Sequence, residues 1–367
     1  LAAMEPLVTF RGAIQELVQA RWGGGAVDGP GAADRVSAVA KQAAQLKEQV
    51  EKAKKEERPS PALALRAAGA TVDLRATLKR WFDFYNGFKP EFTFWLKAPY
   101  EEAGKQLEEY AKFLREEVAG QKGKDDDPLV GDPLGAAALA EAIRCEFLPY
   151  AAEELIAIGE RELAWCEGEM RRAAREMGHG DDWKAALAKV KGDFVPPGQQ
   201  DELVTGIARD AIAFTRQHQF VTVPPLCEET WRLTMMSPET MKTIPYAAYN
   251  GQQIMVAFAS AEMKQEDKLM AMRGNNRAFT RLTVMHELIP GHHLQKFQGA
   301  RNGRRRELFG TPFFVEGWAV YCELRFWDLG WARTPQERIG MLFWRMTRAA
   351  RIVVTLNFHR GRMLPSE

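Results

Sequence analysis

MHELIPGHHLQ, residues 285–295, decides how the rest of the chain is read. His286 and Glu287 open the H-E-x-x-H pattern. In that pattern two histidines four residues apart share a helix face and converge on a tetrahedral zinc at about 2.0–2.1 Å, while the intervening glutamate polarises a bound water. Here the position four after His286 is Pro290. On an ideal helix His292 is rotated by about 120° from His286, and His293, although nearly aligned, lies about 10.5 Å further along. Neither can share an ion with His286 on a straight helix. Pro290, however, removes the N–H that would bond the His286 carbonyl and clashes with that turn, and Gly291 accepts whatever backbone the break requires. The expected geometry is a bulged motif in which His292 takes the place normally held four residues on, with His293 as the second choice.

A third ligand is expected from a neighbouring helix. Glu316 in FVEGWAVYCEL follows His292 by 24 residues, on a segment whose cap is Thr311 and whose first turn holds Pro312. Two histidines and a carboxylate suit zinc better than calcium or magnesium and leave a fourth position for water. Four residues after Glu316, where another acid would share its face, stands Val320. Glu323, seven residues on, is read as a support for the site or a surface acid.

The whole-chain balance bounds the alternatives. With 46% apolar and 27% charged residues, the 367 residues read as a globular protein with a sizeable core. Fifty basic against 49 acidic side chains leave a net charge of +1, so no strong field calls for nucleic acid or an anionic membrane. No apolar run is long enough to span a bilayer. The four cysteines are far apart with no C-x-x-C pair, which favours free thiols in a reducing compartment and therefore the cytoplasm. The chain opens at Leu1 rather than Met, a beginning compatible with a removed leader. Oligomeric state is left open.

Residues 1–220 read as helix after helix, and 221–367 as a region with a small sheet beside the motif helix. A 3-4 alternation through Val36, Val39, Ala43, Leu46, Val50 and Ala53 predicts a long helix over 36–57 with one buried stripe, in a packed hairpin. Helices are also expected over 100–118, 136–147 and 150–177, through Val190 after a cap at Asp181 or Asp182, and from Asp201 to about Gln217. VTVPPL at 221–226, ETWRLTMM at 229–236 and QIMVAFAS at 253–260 are expected strands. Asn275 or Asn276 caps a helix that turns His286 inward.

HELIPGHHLQ, together with FVEGWAVYCEL, RGNN at 273–276 and RAARIVVTLNFH at 348–359, resembles a bacterial and fungal domain-of-unknown-function family. That family is defined by H-E-x-x-P-G-H-H and grouped with the zincin metallopeptidases. YNGFKPEFTFWLKAPYEE at 85–102 and ELAWCEGEMRRAAREMGHGDDW at 162–183 extend the resemblance over most of the chain. It implies a mainly α, zincin-like metallopeptidase fold. It also implies metal ligands at His286, at His292 or His293, and at Glu316, with Glu287 as catalytic acid and base. Members of the family continue beyond the point corresponding to Glu367.

The resulting expectation is a zinc-dependent hydrolase, a metallopeptidase for short peptides. The N-terminal helices would wall its cleft, and the strand at 254–259 would pair with an extended substrate. His359 and Tyr249 are candidate donors to the oxyanion, each with core packing as the plain alternative; Tyr246 is a weaker candidate. RNGRRRE at 301–307 is a solvated basic loop or a seat for an acidic substrate end. His179 and His218 are assigned no chemistry. Two rival readings are a hydrolase of a non-peptide amide or ester, and a catalytically silent helical scaffold that binds a partner.

Overall fold

The computed structural model describes residues 2–24, 26–303 and 305–367, without the side chains of 306 and 307. Contacts divide the chain into two compact units, one running to Pro133 and including Leu364–Glu367, the other Leu134–Met363. In the first unit the long helices are α1 (Arg11–Trp22), α2 (Gly29–Lys52), α3 (Pro61–Tyr85) and α4 (Pro90–Phe113). Most of the stripe expected on α2 is the face it buries: Val36, Val39, Ala43, Leu46 and Val50 are inside, packed along α4, but the helix ends at Lys52 and half-buried Ala53 is its C-cap in extended backbone. Tyr110 on α4 is fully buried, and its hydroxyl donates to the Leu7 carbonyl at 2.9 Å, which satisfies the one polar atom it takes into the core.

The second unit holds α5 (Ala136–Cys145), α6 (Ala152–Glu176), α7 (Trp183–Gly192), α8 (Gln200–Gln217) and α9 (Pro225–Thr230). Then come β1 (Arg232–Met235), α10 (Pro238–Met241), β2 (Ala247–Tyr249), β3 (Gln253–Val256) and α11 (Gln265–Gly274). It closes with α12 (Arg277–Glu287), α13 (His292–Asn302), α14 (Arg305–Leu308), α15 (Pro312–Asp328) and α16 (Pro335–His359). Helices between 136 and 217 therefore pack with the motif-bearing helices: α6 and α7 lie against α16, and α8 against α12.

α12 is the hub. Asn276 caps it by accepting the Phe279 N–H at 3.0 Å, and eight of its eleven residues are buried, as in a helix enclosed on all sides. Around it stand α8, α15, α16 and β2. Even Arg281 is taken inside, stacked 3.8 Å over the Trp331 ring with Asp210 and Glu337 at 3.6 and 3.3 Å. α16 comes so close that a Cβ on Gly340 would lie 2.6 Å from the Ala278 carbonyl oxygen.

The sheet departs from expectation in two places. Residues 221–224 pair with nothing in a sheet, and Pro224 and Pro225 start α9 instead, because proline cannot donate to a ladder but suits a first helical turn. β2 forms in a segment valued only for its tyrosines. The order is β1-β3-β2, with β1 parallel and β2 antiparallel to β3. β3 is thus the central strand, so the expected pairing of a substrate with it is corrected: both of its edges are already used. Among the described residues no helix is long and apolar enough to cross a membrane.

Candidate metal centre

α12 ends at Glu287 and the backbone then breaks. Leu288 leaves helical geometry (φ −106°, ψ −106°), the Ile289–Pro290 bond is cis, and Gly291 (φ −74°, ψ −130°) leads into α13. The turn satisfies groups that a helix end leaves open. Gly291 N–H donates to the Met285 carbonyl at 3.1 Å, and His293 N–H to that of Leu288 at 3.0 Å. The Pro290 carbonyl accepts from Trp318 Nε1 at 2.9 Å, which ties the turn to α15. Glycine is needed at 291 for proximity: a Cβ there would lie 1.7 Å from the His286 carbonyl oxygen.

This break turns His292 back towards His286, with ring centroids 4.7 Å apart and planes at 86°. From α15, Glu316 sets one carboxylate oxygen 3.5 Å from His286 Nε2 and the other 3.5 Å from His292 Nε2. Ligand atoms of His286, Glu287 and His292 all lie within 4.8 Å of one another. A separation of 3.5 Å exceeds the roughly 2.7–3.2 Å of an N–H···O hydrogen bond. Two ligands about 2.0–2.1 Å from one tetrahedral ion are, however, themselves about 3.4 Å apart. Each histidine thus stands at ligand spacing from one oxygen of Glu316, and the donor types are those that suit zinc.

Behind the cluster, His286 Nδ1 meets Glu323 Oε1 at 2.5 Å. Glu323 is only 4% exposed, and Arg348 on α16 supplies the charge that a buried carboxylate needs, with contacts of 2.9 and 2.8 Å. A carboxylate on Nδ1 fixes that nitrogen as the protonated one and turns the Nε2 lone pair towards Glu316 and His292. His292 Nδ1 is buried with no hydrogen-bond partner among the described residues.

Burial works against charge on His286, but the adjoining carboxylates of Glu316 and Glu323 outweigh it and raise its pKa to about 9. The same contacts with His286 and His292 hold Glu316 well below the usual carboxylate range. Burial pushes the Glu287 carboxyl upward, against the pull of the two histidines.

The remaining sequence-selected residues do not join the cluster. His293 faces the other way: Nε2 lies 2.9 Å from the Cys227 carbonyl oxygen and Nδ1 2.9 Å from the Tyr249 hydroxyl. A carbonyl only accepts, so Nε2 carries the proton, and Tyr249 donates to Nδ1. Burial keeps both partners neutral, lowering the His293 pKa and raising that of Tyr249 to about 12. Both ring nitrogens of His293 are thus engaged, and the Tyr249 hydroxyl is committed to it rather than aimed at an oxyanion. Tyr246 packs edge-on against Trp344. His359 accepts the Leu134 N–H at 3.3 Å, eleven residues or about 16 Å along α16 from Arg348. Arg348 is the participant that sequence reasoning missed; a cation on a largely apolar helix was its only signal.

Fold and cluster define a mainly helical protein with two histidines and a carboxylate gathered from α12, α13 and α15. The chain belongs to the family described as "Bacterial protein of unknown function (DUF885)", whose model matches residues 8–367. It is similar to a solved structure described as a "putative lipoprotein of unknown function" from Shewanella oneidensis, at 17% identity and a TM-score of 0.66, over 89% of this chain and 61% of that one. It is also similar to a "putative lipoprotein" from Colwellia psychrerythraea, at 18% identity and a TM-score of 0.55, over 90% and 60%. The chain thus spans about three fifths of the length of these structures. No curated protein sequence matches it.

The turn gives a direct prediction. Gly291→Ala should cost roughly 3 kcal/mol or more, because the new methyl group collides with backbone. Gly299→Ala, on the same helix with nothing within 4 Å of its added carbon, should be neutral or slightly stabilising. Thermal denaturation of the two variants beside wild type checks the contrast.

Proposed function

We propose that this protein is a zinc-dependent hydrolase of peptide bonds in short peptides, on a zincin-like arrangement of motif helices and small sheet. The observation that carries the reading is the meeting of His286 Nε2, His292 Nε2 and the Glu316 carboxylate beside Glu287. The resemblance of HELIPGHHLQ to a zincin-grouped motif adds to it. A zinc ion held there supplies Lewis acidity towards a substrate carbonyl and towards water. Glu287 follows His286 without being needed as a ligand, and its raised pKa suits a group that takes a proton from the attacking water and returns it to the leaving nitrogen. Glu323 and Arg348 are positioning residues, holding the His286 imidazole in one orientation and one tautomer.

Location is part of the same proposal. Two proteins of similar fold are described as lipoproteins, which favours an exported setting over the cytoplasm suggested by the free thiols.

Two outcomes are expected. After zinc loading and desalting, wild type and Glu287→Gln should retain about one zinc per chain by elemental analysis, while Glu287→Gln loses about 10²–10⁴-fold in peptide turnover. His292→Ala should lose the zinc and His293→Ala should keep most of it; zinc retained by His292→Ala, or wild-type turnover in Glu287→Gln, would overturn the assignment. The second outcome concerns pH. Metal-free His286 stays protonated up to about pH 9, and a ligand must shed its proton to bind. Zinc affinity should therefore rise about tenfold per pH unit from 7 towards 9, and uptake at pH 7 should release about one proton. Calorimetry in buffers of different ionisation enthalpy measures both.

A further inference from the structure

A cavity of about 750 Å³ is walled by the two helices that carry His292 and Glu316. On α13 the wall includes Gln295 and Lys296, three and four residues after His292 and therefore on the same helix face. On α15 it includes Phe314 and Trp318, two positions before and after Glu316 in the sequence. Gln295 Nε2 donates to the Phe314 carbonyl at 3.1 Å and bridges the two walls. Arg305, at the start of α14, completes the far side. Among the described residues the lining holds two cations, Lys296 and Arg305, and no carboxylate, and neither cation has an ion-pair partner there. Lys296 extends its ammonium over the turn between β2 and β3, where a Cβ on Gly251 would lie 3.2 Å from Nζ.

Two exposed cations that share a cavity with the apolar rings of Phe314 and Trp318 favour an anionic occupant, because a carboxylate supplies the acceptors they lack among the described residues. The distance limits where that carboxylate sits. Lys296 follows His292 by four residues, about 6 Å along α13, and an extended peptide covers about 3.3–3.6 Å per residue. Resting on the hydrolase reading above, we propose that this cavity binds a substrate carboxylate within about two residues of the cleaved bond, with Lys296 and Arg305 as the specificity-determining residues. A terminal carboxylate there makes the enzyme one that trims short peptides from the C-terminal end; an acidic side chain there makes it selective for acidic residues.

The test is binding by calorimetry, with N-acetyl-dialanine, its C-terminal amide, and N-acetylglutamate α-amide as probes. They are titrated into zinc-loaded and metal-free protein, wild type, Lys296→Gln and Arg305→Gln, with peptide turnover measured in parallel. N-acetyl-dialanine should bind about tenfold or more tightly than its amide in both metal states, and the gap should shrink in each variant. If N-acetylglutamate α-amide binds as well as the free acid, the carboxylate site stands and side-chain carboxylates are accepted. Equal affinity for acid and amide in wild type overturns the proposal. So does a preference that requires zinc and survives both substitutions, since the carboxylate would then sit on the metal. Preference for the acid without hydrolysis of any peptide would remove the hydrolase reading and leave the carboxylate site, whereas hydrolysis without preference would do the reverse.

Discussion

The closest constraint in the molecule is the approach of Gly291 to the carbonyl of His286. An α-helix that continued past Glu287 would carry His292 around the axis, away from His286. The chain instead leaves the helix at Leu288 and passes through Pro290, which has no N–H to return to the His286 carbonyl. It then brings the 291 backbone where no side chain could follow, since a Cβ would overlap the His286 oxygen at 1.7 Å. Two residues of contour are absorbed within one turn, and α13 starts with His292 already facing the end of α12. Trp318 holds this arrangement from α15, the same helix that delivers Glu316.

A turn of that kind can place side chains accurately only if its surroundings do not yield. α12 is buried on nearly every side, and its neighbours contribute specific polar contacts as well as apolar area. The chain from Arg348 through Glu323 to His286 Nδ1 is the clearest example, because each group in it is buried or half-buried and satisfied by the next. Removing either Glu323 or Arg348 would leave a charge without its partner, a change more costly than the hydrogen bond alone. The same logic separates the paired histidines. His293 is neutral and locked between Cys227 and Tyr249, anchoring α13 to α9 and β2, whereas His292 is left with Nε2 facing Glu316.

Features governed by local chemistry were legible in the sequence. Asn276 and Thr311 cap their helices as their side chains permit, Asp182 does the same for α7, and the stripe on α2 follows from its spacing alone. The helix break at Pro290–Gly291 belongs with these, because proline and glycine act on their own backbone. Features that depend on distant partners were not legible. Whether His292 or His293 turned inward rested on the dihedrals of Leu288 and Gly291 and on a carbonyl from Cys227, 66 positions away. Glu323 could not be told apart as a support for the site or a surface acid, because its partner Arg348 arrives on another helix. β2 escaped notice because Ala-Ala-Tyr has little strand character of its own, and without β2 the central position of β3 could not be seen.

The central claim is that the broken helix exists to gather His286, His292 and Glu316 around one ion. Anomalous diffraction at the zinc edge, from crystals of the zinc-loaded protein, tests it most directly. A single peak within about 2.0–2.2 Å of His286 Nε2, His292 Nε2 and a Glu316 oxygen is predicted. A peak at His293, or none between α12 and α15, would contradict it.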